Sequence, residues 1–209
     1  MKEIALREKD AAVAADFLSD AAFREALVGN TDEARRYAAE AAKLGGEPPT
    51  ALMLTNDPAA ATKMVDLLES QSPPGGYMHK VRLPLIRGYI ELKRGNTAHA
   101  LELFAPALPY ESGWFDGYMP AYLRGEAYLA AHRGQEAALE FQKIISHRGI
   151  VLNAEIGSVA HVALARAYAM EGDNAKAKAA YQDFFTLWKD ADAGIPILTE
   201  AKDEYAKLQ

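Results

Sequence analysis

Residues 163–185 read ALARAYAMEGDNAKAKAAYQDFF, and they decide the fold of the chain. Ahead of Gly172-Asp173, the apolar residues Val159, Val162, Ala163, Ala167 and Met170 recur at helical spacing; behind it, Ala177, Ala180, Tyr181 and Phe184 do the same. The stretch is therefore a helix, a short turn and a second helix. Glycine suits the left-handed residue that ends the first helix, and Asp173 can accept a hydrogen bond from the free amides that begin the second. Ala177 stands where two helices cross closely, and Tyr181, four residues on, fills the next gap.

The same punctuation recurs outward along the chain. Gly29-Asn30, Asn56-Asp57, Gly95-Asn96, His132 with Gly134, and Gly172-Asp173 each precede an alanine: Ala34, Ala61, Ala100, Ala137 and Ala177. These alanines lie 27, 39, 37 and 40 residues apart, the spacing of a common unit whose loops differ in length. Asn30, Asp57, Asn96 and Asp173 are expected helix caps. Asn30 with Glu33 forms a capping-box pattern, and Pro58 suits a first helical position. Ala38, Val65, Phe104, Phe141 and Tyr181 are the expected gap-fillers. The pattern predicts one array of helix pairs over residues 10–45, 48–72, 78–109, 117–148 and 153–189. A final helix over 195–208 carries an apolar stripe of Ile197, Leu198, Ala201, Tyr205 and Leu208, which suits a cap on the open end. Residues 45–49 and 70–76, rich in glycine and proline, break the array without dividing it into two domains.

In its order of small residue, aromatic, glycine, alanine, aromatic, the chain resembles the tetratricopeptide (TPR) repeat. Leu164, Ala165, Tyr168, Gly172, Ala177 and Tyr181 carry the resemblance in the last unit, Gly125, Tyr128, Ala137 and Phe141 in the one before. The third unit keeps Gly88, Gly95, Ala100 and Phe104, with Glu91 in the tyrosine position, and the first two depart further. The resemblance implies an all-α, right-handed superhelical solenoid that binds a partner rather than catalysing a reaction. Phe141-Gln142-Lys143-Ile144, His147-Arg148-Gly149-Ile150-Val151 and the run from Ala179 to Leu198 are similar to the C-terminal TPR region of bacterial eukaryotic-like serine/threonine kinases. That narrower likeness implies a regulatory or sensory part of a larger signalling protein, in the cytoplasm or tethered outside the cytoplasmic membrane. An effector domain would then precede residue 1. A stand-alone scaffold or oligomerisation protein is the alternative.

Composition agrees with a partner-binding role. The 209 residues are half hydrophobic, enough for a substantial core, and lack cysteine, so disulfides, thiol nucleophiles and cysteine-ligated metals are excluded. A net charge of -6 disfavours nucleic acid and anionic bilayers. The charged N-terminus does not read as a secretory signal, and no run reaches the roughly 20 apolar residues of a membrane helix.

Two short motifs test the enzymatic alternative. His147-Arg148-Gly149 and Gln182-Asp183-Phe184-Phe185 echo the kinase motifs His-Arg-Asp and Asp-Phe-Gly. Gly149 has no group to accept a hydroxyl proton, Phe185 replaces the second motif's glycine, and no glycine-rich phosphate loop exists. The expected reading is structural: His147 and Arg148 at the carbonyl end of a helix, Gly149 ending it in a loop, and Asp183 to Phe185 within a helix. The five histidines show no metal-ligand spacing, His161 reads as a packing or groove residue, and Asp190 and Asp192 read as turn residues. No catalytic residue, metal or cofactor is expected.

The expected function lies on a surface. In a TPR-like array the first helix of each pair lines the concave side, where large or charged residues hold an extended or helical segment of a partner protein, or of a second copy of the chain. The register places Phe23, Arg82, Tyr89, Lys93, Met119, Tyr122, Glu126, Arg166 and Met170 there. Trp114 and Phe115, in the aromatic loop 109–118, are expected to seal the junction between the third and fourth pairs.

Overall fold

The computed structural model describes residues 10–46, 58–112, 118–151 and 155–208. Among them every regular element is helical. They fall into two compact units, divided in sequence between Leu67 and Leu68.

The first unit holds α1 (Ala11–Leu27) and α2 (Thr31–Lys43), packed together around Ala22, Ala38 and Tyr37. Small residues on both partners allow the close approach. The boundary falls inside α3 (Pro58–Gln71), and the first half of the expected 48–72 pair, with the turn and cap expected at Asn56-Asp57, lies outside the described residues.

The second unit begins with a π-helical turn, Met78–Arg82, that runs into α4 (Leu83–Lys93). Pro84, which lacks an N–H, sits in the first turn of α4, and the wide i→i−5 bond from the Leu83 amide to the Met78 carbonyl leads into it. Then come α5 (Thr97–Phe104), a 3-10 turn over Ala105–Tyr110 that contains Pro106 and Pro109, α6 (Met119–Ala130) and α7 (Gly134–Ser146). A four-residue α8 (Arg148–Val151) precedes α9 (Glu155–Met170), α10 (Asn174–Leu187) and α11 (Pro196–Ala206). Within this unit α4 packs on α5, α6 on α7, and α9 on α10; α6 also touches α4 and α9. Each second helix meets the first helix of the pair that follows, α5 on α6 and α7 on α9.

Four turns share one hydrogen-bond pattern. The amides of Asn30, Asn96, Arg133 and Asp173 donate to the carbonyls of Glu25, Glu91, Tyr128 and Tyr168 at 2.8–2.9 Å, and the preceding residue's amide donates three back. This is the Schellman ending of a helix, which needs a left-handed residue. Gly29, Gly95 and Gly172 supply it at φ 90, 84 and 75, and His132 takes the same place at φ 56. The alanines behind these turns, Ala34, Ala100, Ala137 and Ala177, are fully buried, and Ala61 on α3 is 1 % exposed.

Two local expectations need correcting. Of the expected side-chain caps, Asp173 accepts from the Lys176 amide at 3.1 Å, but Asn30 and Asn96 do not cap. Their amide groups donate instead to Glu25 and Glu91, both at 2.7 Å, because a glutamate stands five residues earlier where the other two turns have tyrosine. Gly149 does not end a helix: α7 stops at Ser146, and Gly149 lies inside α8. His147 does sit at the carbonyl end, its Nδ1 2.7 Å from the Lys143 carbonyl oxygen.

Candidate functional site

The first helices of the second unit bring five of the expected groove residues together. Tyr89 and Lys93 stand on α4, Tyr122 and Glu126 on α6, and Arg166 on α9. The Lys93 ammonium lies 5.1 Å from the centre of the Tyr89 ring. The Tyr122 ring meets the edge of Phe141 at 5.8 Å, which fixes the phenol on the α6 face. Tyr89 is itself 5 % exposed and belongs to the core, so the expectation that it faces a partner is corrected; its ring backs Lys93.

Electrostatics tie these side chains into one group. Burial pushes the Glu126 carboxyl above its ordinary pKa, and the nearby positive charges of Arg166 and Lys93 only partly oppose the shift. Burial likewise raises the Tyr122 phenol, with the Glu126 charge adding to the effect. Neither the Tyr122 hydroxyl nor the Glu126 carboxylate has a hydrogen-bond partner among the described residues, although both residues are half-buried. Two polar groups are thus held partly out of water with their bonding capacity unused by the protein.

Arg166 is engaged from the other side. Its Nε donates to Glu204 at 2.9 and 3.1 Å, its Nη2 donates to Glu200 at 3.0 Å, and the Tyr181 hydroxyl donates to Glu204 at 2.6 Å. Burial works against the charged guanidinium, but the Glu204 bond and charge outweigh it and raise its pKa. Charges therefore alternate in sign from Lys93 through Glu126 and Arg166 to Glu200 and Glu204, on α4, α6, α9 and α11. Glu200 and Glu204 lie outside the apolar stripe of α11. Their partner lies more than thirty residues away, beyond the reach of helix periodicity.

The remaining candidates stand apart from that group. Met119 is 5 % exposed and belongs to the core, so the expectation that it faces a partner is corrected. Met170, 39 % exposed, ends α9, Arg82 lies half-buried in the π-helical turn, and Phe23 is half-buried on α1 of the first unit. Trp114 and Phe115 lie outside the described residues.

A buried charge cluster escaped the sequence reading altogether. Arg124, 4 % exposed, donates to Glu140 at 2.6 Å and to Glu111, and Lys143 joins at 3.1 Å from Glu140 and 3.7 Å from Glu111. Two cations and two carboxylates balance. Nη1 of Arg124 has no hydrogen-bond partner among the described residues. The ion pairs fasten the 3-10 segment after α5 to both helices of the next pair, a structural task that short-range spacing does not reveal.

Among the described residues there is no cluster of three or more histidine, aspartate or glutamate side chains suited to a metal, and no helix long and apolar enough to cross a membrane. Comparison with family models, curated proteins and solved structures finds no match to this chain.

Proposed function

We propose that the chain is a TPR-like solenoid that acts as a non-catalytic binding module. Its first-helix face, around Tyr122, Glu126 and Lys93, takes a protein or peptide segment. The repeated turn geometry, the alanine crossings and the packing of each second helix on the next first helix support the architecture. The observation that carries the function is the unused hydrogen-bonding capacity of Tyr122 and Glu126, half-buried side by side on α6. A carboxylate raised in pKa by burial gains most from a donor that arrives with the ligand, since the donor replaces lost water. The segment it suits is an extended or helical stretch presenting a backbone amide or a basic side chain to Glu126, with an apolar residue beside Tyr122. The alternating charges fix its register rather than supplying most of the affinity.

The likeness of residues 141–144, 147–151 and 179–198 to kinase-associated TPR regions supports a regulatory place for this module within a larger signalling protein. Selection of a random-peptide display library on the purified chain tests the binding reading. Enriched segments are expected to share a donor and an apolar residue at fixed spacing, and to bind about tenfold or more weakly to Glu126→Gln and Tyr122→Phe. No enriched family, or equal binding to the variants, defeats the proposal.

A further inference from the structure

A second concave feature lies away from Tyr122 and Glu126. A pocket of about 470 Å³ opens between α7, the short α8, the start of α9 and the end of α10. Its volume falls within the range typical of small-molecule sites, roughly 300–1,000 Å³. Ile144, Ile145, Val151 and Leu187 line it with apolar surface, and Gly157 contributes no side chain at all. A Cβ at Gly157 would stand 2.8 Å from Val151 Cγ1, so the glycine lets α8 approach α9.

The polar lining comprises Arg148, Glu155, Ser158, His161 and Trp188. His161 is 5 % exposed, and the exposed Asp183 lies 3.9 Å away, beyond hydrogen-bond range. Burial lowers the His161 pKa, and the Arg148 charge lowers it further against the opposing pull of Asp183, so the imidazole is neutral at pH 7 and keeps one N–H. Arg148 is exposed and its guanidinium makes no hydrogen bond or ion pair among the described residues. The Trp188 indole N–H is likewise without a hydrogen bond, while its ring packs 5.0 Å from Phe184. The Ser158 hydroxyl already donates to the Glu155 carbonyl, at 2.8 Å. Three donors with unused capacity among the described residues, one of them a permanent cation, thus share the pocket with its apolar side chains, and Glu155 and Ser158 complete the lining.

We propose that this pocket binds a small monocarboxylate with an apolar body. The guanidinium of Arg148 and the N–H groups of Trp188 and His161 take the carboxylate oxygens, and the isoleucine, valine and leucine side chains cover the hydrocarbon. Arg148 is the single cation among the residues that line the pocket, so it matches one negative charge, and the second charge of a dianion would have no cationic partner there. A phosphate dianion is disfavoured on that ground. This assignment gives His147-Arg148-Gly149 a role unrelated to phosphoryl transfer, since α8 places Arg148 at the pocket and Gly149 merely continues the turn.

The test uses the full chain labelled for NMR, titrated with 4-phenylbutyrate and separately with its neutral counterpart 4-phenylbutan-1-ol. The acid is expected to bind saturably, shifting the Trp188 indole, the His161 ring and amides of α8 and α9. The alcohol, and the acid on Arg148→Ala, are expected to bind at least about tenfold more weakly, as loss of one charge-assisted contact implies. Arg148 is exposed, so the variant keeps the fold, and its unchanged spectrum away from the pocket checks this. Equal affinity for acid and alcohol overturns the proposal, as do an Arg148→Ala variant that binds as well as the parent, shifts confined to other helices, or no saturable binding.

Discussion

Replacing Gly125 by alanine sets two opposing effects against each other, and the structure says which wins. Gly125 lies inside α6, where alanine is favoured over glycine by up to about 1 kcal/mol. An added Cβ, however, would stand 2.5 Å from both Cε1 and Cζ of Phe141 on the paired helix α7. Carbon atoms rest at about 3.5–4.0 Å, so the overlap is roughly 1 Å. Phe141 is fully buried and wedged against Tyr122, so it has nowhere to retreat. Overpacking of this kind costs about 1–3 kcal/mol, which leaves a net loss of up to about 2 kcal/mol after a helix gain of about 1 kcal/mol. Gly88→Ala repeats the experiment in the preceding pair, where the Cβ would come within 2.4 Å of Phe104 Cε1. The control is Gly149→Ala, which meets nothing within 4 Å and is expected to be neutral or slightly stabilising. Urea denaturation followed by far-UV circular dichroism reads all three. Combining Gly125→Ala with Phe141→Leu decides the cause: removing part of the ring relieves the clash, so the double variant loses about 1 kcal/mol or more less than the singles sum to. Additive losses, or a Gly125→Ala chain more stable than the parent, would refute the close glycine-on-phenylalanine crossing.

Three further outcomes follow from other parts of the second unit. Arg124→Met strands the carboxylates of Glu140 and Glu111 and is expected to cost about 3 kcal/mol or more by chemical denaturation, whereas adding Glu140→Leu to it recovers part of the loss; an unaffected single variant contradicts the buried cluster. Ending the chain after Asp192 removes α11, with buried Ile197 and Leu198, each contributing about 1.5–3 kcal/mol, and frees Arg166; a lower melting midpoint with self-association in sedimentation is expected, and an unchanged monomer refutes the capping role. Because burial raises the Glu126 pKa, the folded chain holds a proton that the unfolded chain releases; stability from this group is full below about pH 4.5 and declines as pH rises through the raised value, so Glu126→Gln gains on the parent over that interval, and a pH-independent difference between the two excludes the shift.

How far the sequence reaches depends on how local the cause is. The turns were legible because Gly29, Gly95 and Gly172 have to adopt positive φ, and fixed spacing identified His132 as their counterpart. The alanine crossings and the apolar stripe of α11 were legible for the same reason, as periodic burial leaves a periodic pattern. Side-chain choice among nearby partners was less so: Asn30 and Asn96 satisfy an adjacent glutamate in preference to capping, a competition that the residue types alone leave undecided. The π-helical entry to α4 and the extra turn at Arg148–Val151 depend on how a proline and a chain reversal are accommodated within one pair. The charge cluster around Arg124, the Arg166 anchors on α11 and the Arg148 pocket join residues from separate elements, so no local pattern reveals them. On the candidate face, helical spacing could not tell Tyr89 and Met119 in the core from the half-buried Tyr122 and Glu126, because all four stand at helix positions that a periodic pattern treats alike.

The claim that the first-helix face is where a partner docks is tested most directly by photo-crosslinking in the source cells. A benzophenone amino acid is placed at Lys93, exposed beside Tyr89 and near Glu126, and in a second chain at Leu139, 65 % exposed on the second helix α7. The account predicts a discrete covalent adduct from position 93 that disappears when Glu126→Gln and Tyr122→Phe are added, and no such adduct from position 139. An adduct from position 139 alone, or one from position 93 that persists in the Glu126→Gln, Tyr122→Phe background, would contradict it.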